Sequence, residues 1–109
     1  MTTVIIRKSG QSEYKSFTCM GHAGYGKYPN DIVCAAISVL VINTINSLEE
    51  LAGELAVCTA NEETGFIQCD FDHPLSEKGI LLMDSLVLGL NHIEKEYGKK
   101  YFKLTFEEV

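Results

Sequence analysis

A chain of 109 residues, 46% of them hydrophobic and 22% charged, is sized for one globular domain spanning residues 1–109, with room for one sheet and two or three helices and none for a separate cofactor domain. Fifteen Asp and Glu against nine Lys and Arg leave a net charge of −6. That argues against direct nucleic-acid binding, whose affinity comes mainly from cations on phosphates, and suits a basic peptide or protein partner.

The elements follow in chain order. Thr3 to Lys8 is short and β-branched, Ser9-Gly10-Gln11-Ser12 supplies a turn, and Tyr14 to Gly21 reads as a second strand. The segment from Gly21 to Asn30 holds three glycines and a proline and cannot be a regular element. A long helix is predicted from about Ile32 to Leu51, with Asp31 as N-cap and Gly53 just past its end. Leu55 to Ala60 and Phe66 to Phe71 read as strands around the turn Asn61 to Gly65, and His73-Pro74 closes that hairpin. A second helix is predicted from Ser76 to Tyr97, with Leu82, Leu86, Leu90, Ile93 and Tyr97 at spacings of three and four. The last strand is Tyr101 to Phe106, where Phe102, Leu104 and Phe106 alternate with polar neighbours.

The order ββαββαβ predicts an α+β domain: one mostly antiparallel five-stranded sheet with two helices packed on one face. The first helix is apolar nearly all round from Ile32 to Ile42, and the second carries more leucine than one covered face needs. A chain this small cannot hide two such helices alone, so a homodimer is expected. The apolar run is shorter than the ~18 residues of a membrane span, and Met1 to Lys8 puts charges where a signal peptide has its apolar core. The expectation is a cytoplasmic chain with no membrane partner. Its cysteines, Cys19, Cys34, Cys58 and Cys69, form no Cys-x-x-Cys pair; reduced thiols are expected, with Cys19, Cys58 and Cys69 in the core. His73 and His92 read as surface residues.

One constellation carries chemistry. His22 stands at the exit of a strand, and Cys34 is third in the first turn of an apolar helix capped by Asp31. The glycine-rich segment between them is long enough to fold back and bring the two together. A thiol of pKa ~8.5 must lose about 1.5 units to be mostly thiolate near neutrality, worth about 2 kcal/mol. A helix N-terminus usually offers ~0.3–1 kcal/mol, so a neighbouring imidazolium is needed for the remainder. Such an imidazole would also protonate a leaving amine. First-turn N–H groups beside Cys34 are candidate donors to an oxyanion. Each residue has a plainer reading too: Cys34 as a small core residue, His22 as structural, and Ser38, one turn on, as a hydroxyl bonded back to a carbonyl rather than a polar wall of the site. At the level of residue physics both readings stand.

Gly21-His22-Ala23 followed by Asp31-Ile32-Val33-Cys34-Ala35-Ala36-Ile37-Ser38 resembles the signature of the bacterial ribosomal-processing cysteine proteases, the Prp family, over essentially the whole chain. The resemblance implies a cytosolic homodimer with no metal or cofactor, and a dyad of Cys34 as nucleophile with His22 as its base. Asp31, Ser38 and Gly21 carry over as supports of the site. The segment Ala23, Gly24, Tyr25, Gly26, Lys27, Tyr28, Pro29 and Asn30 is expected to be a flexible loop over it. The implied substrate is the N-terminal extension of a large-subunit ribosomal protein, number twenty-seven, cut after paired aromatics and before a small residue. Tyr25 and Tyr28 are either partners for those aromatics or ordinary loop residues. Pro29 departs from the family pattern, which often has glycine two residues before the aspartate; it fixes one φ and moves the expected hinge to Gly24 and Gly26.

Two other classes compete. A metal module would use Cys19, His22, Cys34 and His73, at spacings that match no ordinary zinc finger. A non-enzymatic ribosome-associated binding protein would suit the acidic surface and apolar helices equally well. A phosphate loop fails, because no Lys-Ser/Thr pair follows the glycines and Asp31 repels an anion at the helix start.

Overall fold

Alternation in the first two strands determines which side of the sheet becomes core. In the computed structural model, which describes residues 1–22, 24, 26, 31–61 and 63–109, β1 (Thr2–Lys8) and β2 (Tyr14–Met20) pair antiparallel, with Val4 opposite Cys19 and Ile6 opposite Phe17. All four of these side chains are buried. β3 (Val57–Asn61) and β4 (Phe66–Asp70) form a second antiparallel hairpin, and β4 docks antiparallel on β2. β5 (Phe102–Glu108) runs parallel to β1, placing Phe102 beside Thr2 and Leu104 beside Val4. The sheet order is β3-β4-β2-β1-β5. The expected α+β architecture is therefore present, with three antiparallel ladders and one parallel ladder. The parallel pairing has a simple cause: the helix after β4 carries the chain back along the sheet, so β5 starts from the same end as β4 and hence as β1.

The helices cover the inward row. α1 (Ile32–Ala52) begins at Asp31, whose side chain accepts from the Val33 and Cys34 N–H groups, and ends at Gly53. Its buried stripe is Val33, Ile37, Val41, Thr44 and Leu48, spaced by three and four residues. Apolar character continues past Ile42, so by length and composition α1 is long enough to cross a membrane; here that stripe packs into the core beneath it. α2 (Glu77–Tyr97), capped by Ser76, contributes Met83, Leu86 and Leu90 to the same core. The Tyr14 hydroxyl donates to Asp84 Oδ1 at 2.5 Å and ties α2 to β2.

The structure corrects one reading, that of Cys58 and Cys69 as reduced core thiols, and extends another, that of His73 as a surface residue. Cys58 and Cys69 face each other across β3 and β4, with Cα atoms 4.3 Å apart, and are joined as a disulfide. That separation is the one of a non-hydrogen-bonded antiparallel pair, whose side chains approach most closely. Only Cys69 is core; Cys58 is exposed, because β3 is the edge strand and neither helix extends over it. His73 is more than a surface residue. Its Nδ1 lies 2.5 Å from Asp72 Oδ1 and its Nε2 lies 2.6 Å from Oε2 of buried Glu54, while Glu54 Oε1 accepts the Ser76 N–H. The ring thus links the end of α1 to the start of α2.

This arrangement makes stability depend on pH. The hydrogen bonds to Asp72 and Glu54 raise the His73 pKa above its usual 6.5, and the same bonds hold Glu54 and Asp72 below their usual 4.5 and 3.8. The His73 contribution is therefore complete below about pH 6.5 and lost as pH rises through its folded value. The carboxylate contributions are complete above about pH 4.5 and lost as pH falls through their lowered values. Stability from this cluster is greatest between the two. Urea midpoints measured at about pH 6 and about pH 8 should fall on the alkaline side in the wild type, and His73→Ala should flatten that fall.

Candidate active site

The outward-running end of β2 and the start of α1 meet beside the N-terminal residues of β1. Gly21 leaves β2 with φ +85°, and a Cβ there would lie 2.5 Å from the Met1 carbonyl oxygen, so only glycine fits this crossing. His22 follows, solvent-exposed, with Nε2 3.2 Å from the Glu63 main-chain oxygen in the β3–β4 turn. Gly65 of that turn, at φ +65°, is equally constrained: a Cβ would lie 2.7 Å from the Gly21 oxygen and 3.3 Å from His22 Cε1.

Cys34 is half-buried in the first turn of α1. Oδ1 of buried Asp31 accepts both the Val33 and Cys34 N–H groups, each at 3.0 Å. Asp31 is thus the helix cap, as expected. The two first-turn N–H groups read as candidate oxyanion donors are engaged by this cap carboxylate, which satisfies orphan N–H groups. Thr2 Oγ1 lies 3.8 Å from Cys34 Sγ and 3.4 Å from the Gly21 oxygen. Cys19, opposite Val4, is the inert thiol of the site: burial, and then the charge of Cys34, push it up to about 11.

These elements enclose a cleft of about 440 Å³. His22, Cys34, Gly21, Asp31 and Ser38, all singled out in the sequence, line it together, and Ile42, Ile45 and Ile67 give it an apolar side. Ser38 is exposed. Of the loop expected over the site, Ala23, Tyr25, Lys27, Tyr28, Pro29 and Asn30 lie outside the described residues. Gly24 and Gly26 are exposed and are not part of the cleft wall. The sequence reading missed Thr2, Asn61, Glu63 and Gly65. Thr2 was within reach: it shares the inward row of Val4 and Ile6, one residue before the predicted start of the strand.

The arrangement offers a thiol and an imidazole on one apolar cleft, which is the equipment for acyl transfer through a thioester. The Thr2 hydroxyl, which donates to the Gly21 carbonyl, also stands beside the sulfur, and a turn about its C–O bond would give its proton to the anionic form. Thr2→Val should therefore slow alkylation of Cys34 by iodoacetamide about fivefold at neutral pH, the equivalent of about 1 kcal/mol for one hydrogen bond, while Thr2→Ser should restore it.

Comparison with known proteins decides the class. The family model described as cysteine protease Prp matches residues 1–102. The chain belongs to the Prp cysteine protease family. The ribosomal processing cysteine protease Prp of Bacillus subtilis is 29% identical over 101 residues, covering 89% of this chain and 90% of that protein. Its Staphylococcus aureus counterpart is 25% identical over 99 residues, covering 91% and 93%. In three dimensions the chain is similar to S. aureus Prp in complex with a covalently linked product peptide, with a TM-score of 0.92 over 98% of this chain and 100% of that one at 24% identity. A Streptococcus mutans crystal structure matches at 0.86 and 27% identity, over 100% and 96%. As a Prp protease the chain is an enzyme, which removes the non-enzymatic reading. The metal reading loses His73, which is bound to Asp72 and Glu54 away from the cleft; among the described residues no group of three or more His, Cys, Asp and Glu is arranged to hold a metal ion.

Proposed function

We propose that this Prp protease removes the N-terminal extension of a large-subunit ribosomal protein, number twenty-seven, in the cytoplasm, using Cys34 as nucleophile and His22 as acid and base. The carrying observation is that Cys34 and His22 line one apolar cleft in a chain whose curated relatives are named as ribosomal processing proteases. Structures of S. aureus Prp with a substrate peptide and with a covalently linked product peptide support the same reading. Cys34 Sγ attacks the scissile carbonyl, and the C–N bond breaks as His22 gives a proton to the departing amine. His22 then takes a proton from water, whose oxygen attacks the thioester, and Cys34 leaves as the thiol or thiolate. The apolar side of the cleft suits aromatic residues before the cut, and the net charge of −6 suits a basic extension.

The test is incubation of the protein with the precursor and mass analysis of the products. A single cut that frees the extension is expected. An intact precursor under conditions where Cys34 is alkylated rapidly would overturn the substrate assignment.

The active form is proposed to be a homodimer joined through α2. Leu81 and Leu88, one heptad apart on that helix, are 68% and 59% exposed, and Ile80 stands beside them. Leu81→Glu combined with Leu88→Glu should convert the dimer to a folded monomer in light scattering after size exclusion. A dimer that survives both changes would place the contact elsewhere.

A further inference from the structure

We infer that the main-chain carbonyl of Glu63, at the tip of the β3–β4 hairpin, orients the His22 ring, and that Asn61 is the positioning residue that holds this carbonyl. The inference rests on the Cys34–His22 reading above. A carbonyl oxygen can only accept, so across the 3.2 Å contact His22 Nε2 must donate. A neutral imidazole has one N–H, which leaves Nδ1 as the nitrogen able to take the thiol proton. When the ring is doubly protonated the same carbonyl still accepts from Nε2, so the contact serves both states of the cycle without the turn having to move.

The turn is built to hold that position. Asn61 Oδ1 accepts the Glu63 N–H at 3.0 Å, and Thr64 Oγ1 donates to the Asn61 carbonyl at 3.4 Å. Gly65 lets the turn sit directly on Gly21 and on the Cε1 edge of the His22 ring, where no Cβ has room. Farther down the hairpin the Cys58–Cys69 disulfide joins its two strands.

The test reads the ring directly. Protein labelled with ¹⁵N-histidine, with the His22 signals assigned from the His22→Gln variant, should show neutral His22 as the Nε2–H tautomer. Asn61→Ala should give a mixture of tautomers and lower kcat about tenfold with KM little changed, and Asn61→Asp, which keeps the accepting oxygen, should restore both. Because Asn61 also lines the cleft, the tautomer separates positioning from substrate contact. Replacing the Glu63–Thr64 amide by an ester, which weakens the Glu63 carbonyl as an acceptor and leaves every side chain in place, should shift the tautomer in the same direction. Nδ1–H as the wild-type tautomer, with His22→Ala inactive, would overturn this inference alone. Full activity of His22→Ala would remove the dyad and this inference with it.

Discussion

Cys34→Ser should lower kcat/KM for extension cleavage by about a thousandfold or more while the protein stays folded. The change is nearly isosteric, and the sulfur is only half-buried, so no core volume is lost. What disappears is nucleophilicity: a serine hydroxyl in this place has one imidazole to activate it, and Val33 and Cys34 N–H groups are already bound to Asp31. His22→Ala should cost about 10²–10⁴-fold, the usual range for general acid–base catalysis. Residues that act as a unit are not additive, so the double variant should be no slower than Cys34→Ser alone. Cleavage measured against thermal melting settles the matter, since a near-wild-type rate in either single variant would discard the dyad.

Gly21→Ala should be the most damaging single methyl in the molecule. Its φ of +85° is strained for any residue with a Cβ, by about 1–2 kcal/mol, and the added carbon would stand 2.5 Å from the Met1 carbonyl oxygen. That oxygen belongs to the backbone at the start of β1, so relief requires the strand itself to shift, carrying Thr2 away from Cys34. For a domain of this size each 1 kcal/mol lowers Tm by about 4–8 °C, and a fall of about 10 °C is expected. His22 is the next residue, so activity should fall even at temperatures where the variant is folded. A variant with wild-type Tm and rate would mean that the β2 exit is free to rearrange.

Much of this was legible in the order of residues. The inward rows of β1 and β2 and the leucine stripe of α2 follow from periods of two and of three to four, and the cap Asp31 from its place before an apolar run; Ser76, read as the first residue of α2, is its cap. The helix predicted over Ile32 to Leu51 is observed as Ile32–Ala52. That His22 and Cys34 reach one cleft was legible because a strand exit and a helix start flank one glycine-rich segment. What escaped depends on pairing between strands distant in sequence. The edge position of β3 leaves Cys58 exposed, and its register with β4 sets Cys58 opposite Cys69; neither is visible in local alternation. The link from His73 to Glu54 joins two helix ends, and the Glu63 carbonyl is a backbone group that carries no residue signal at all.

The cleft draws on the first residue of β1, the end of β2, the first turn of α1 and the tip of the β3–β4 hairpin, so residues from Thr2 to Ile67 must be in place before it exists. On the ribosome, Cys34 emerges well ahead of the hairpin that meets His22. A chain still being synthesised therefore carries a sulfur without a working protease, and cutting power is acquired only when tertiary structure has closed around it.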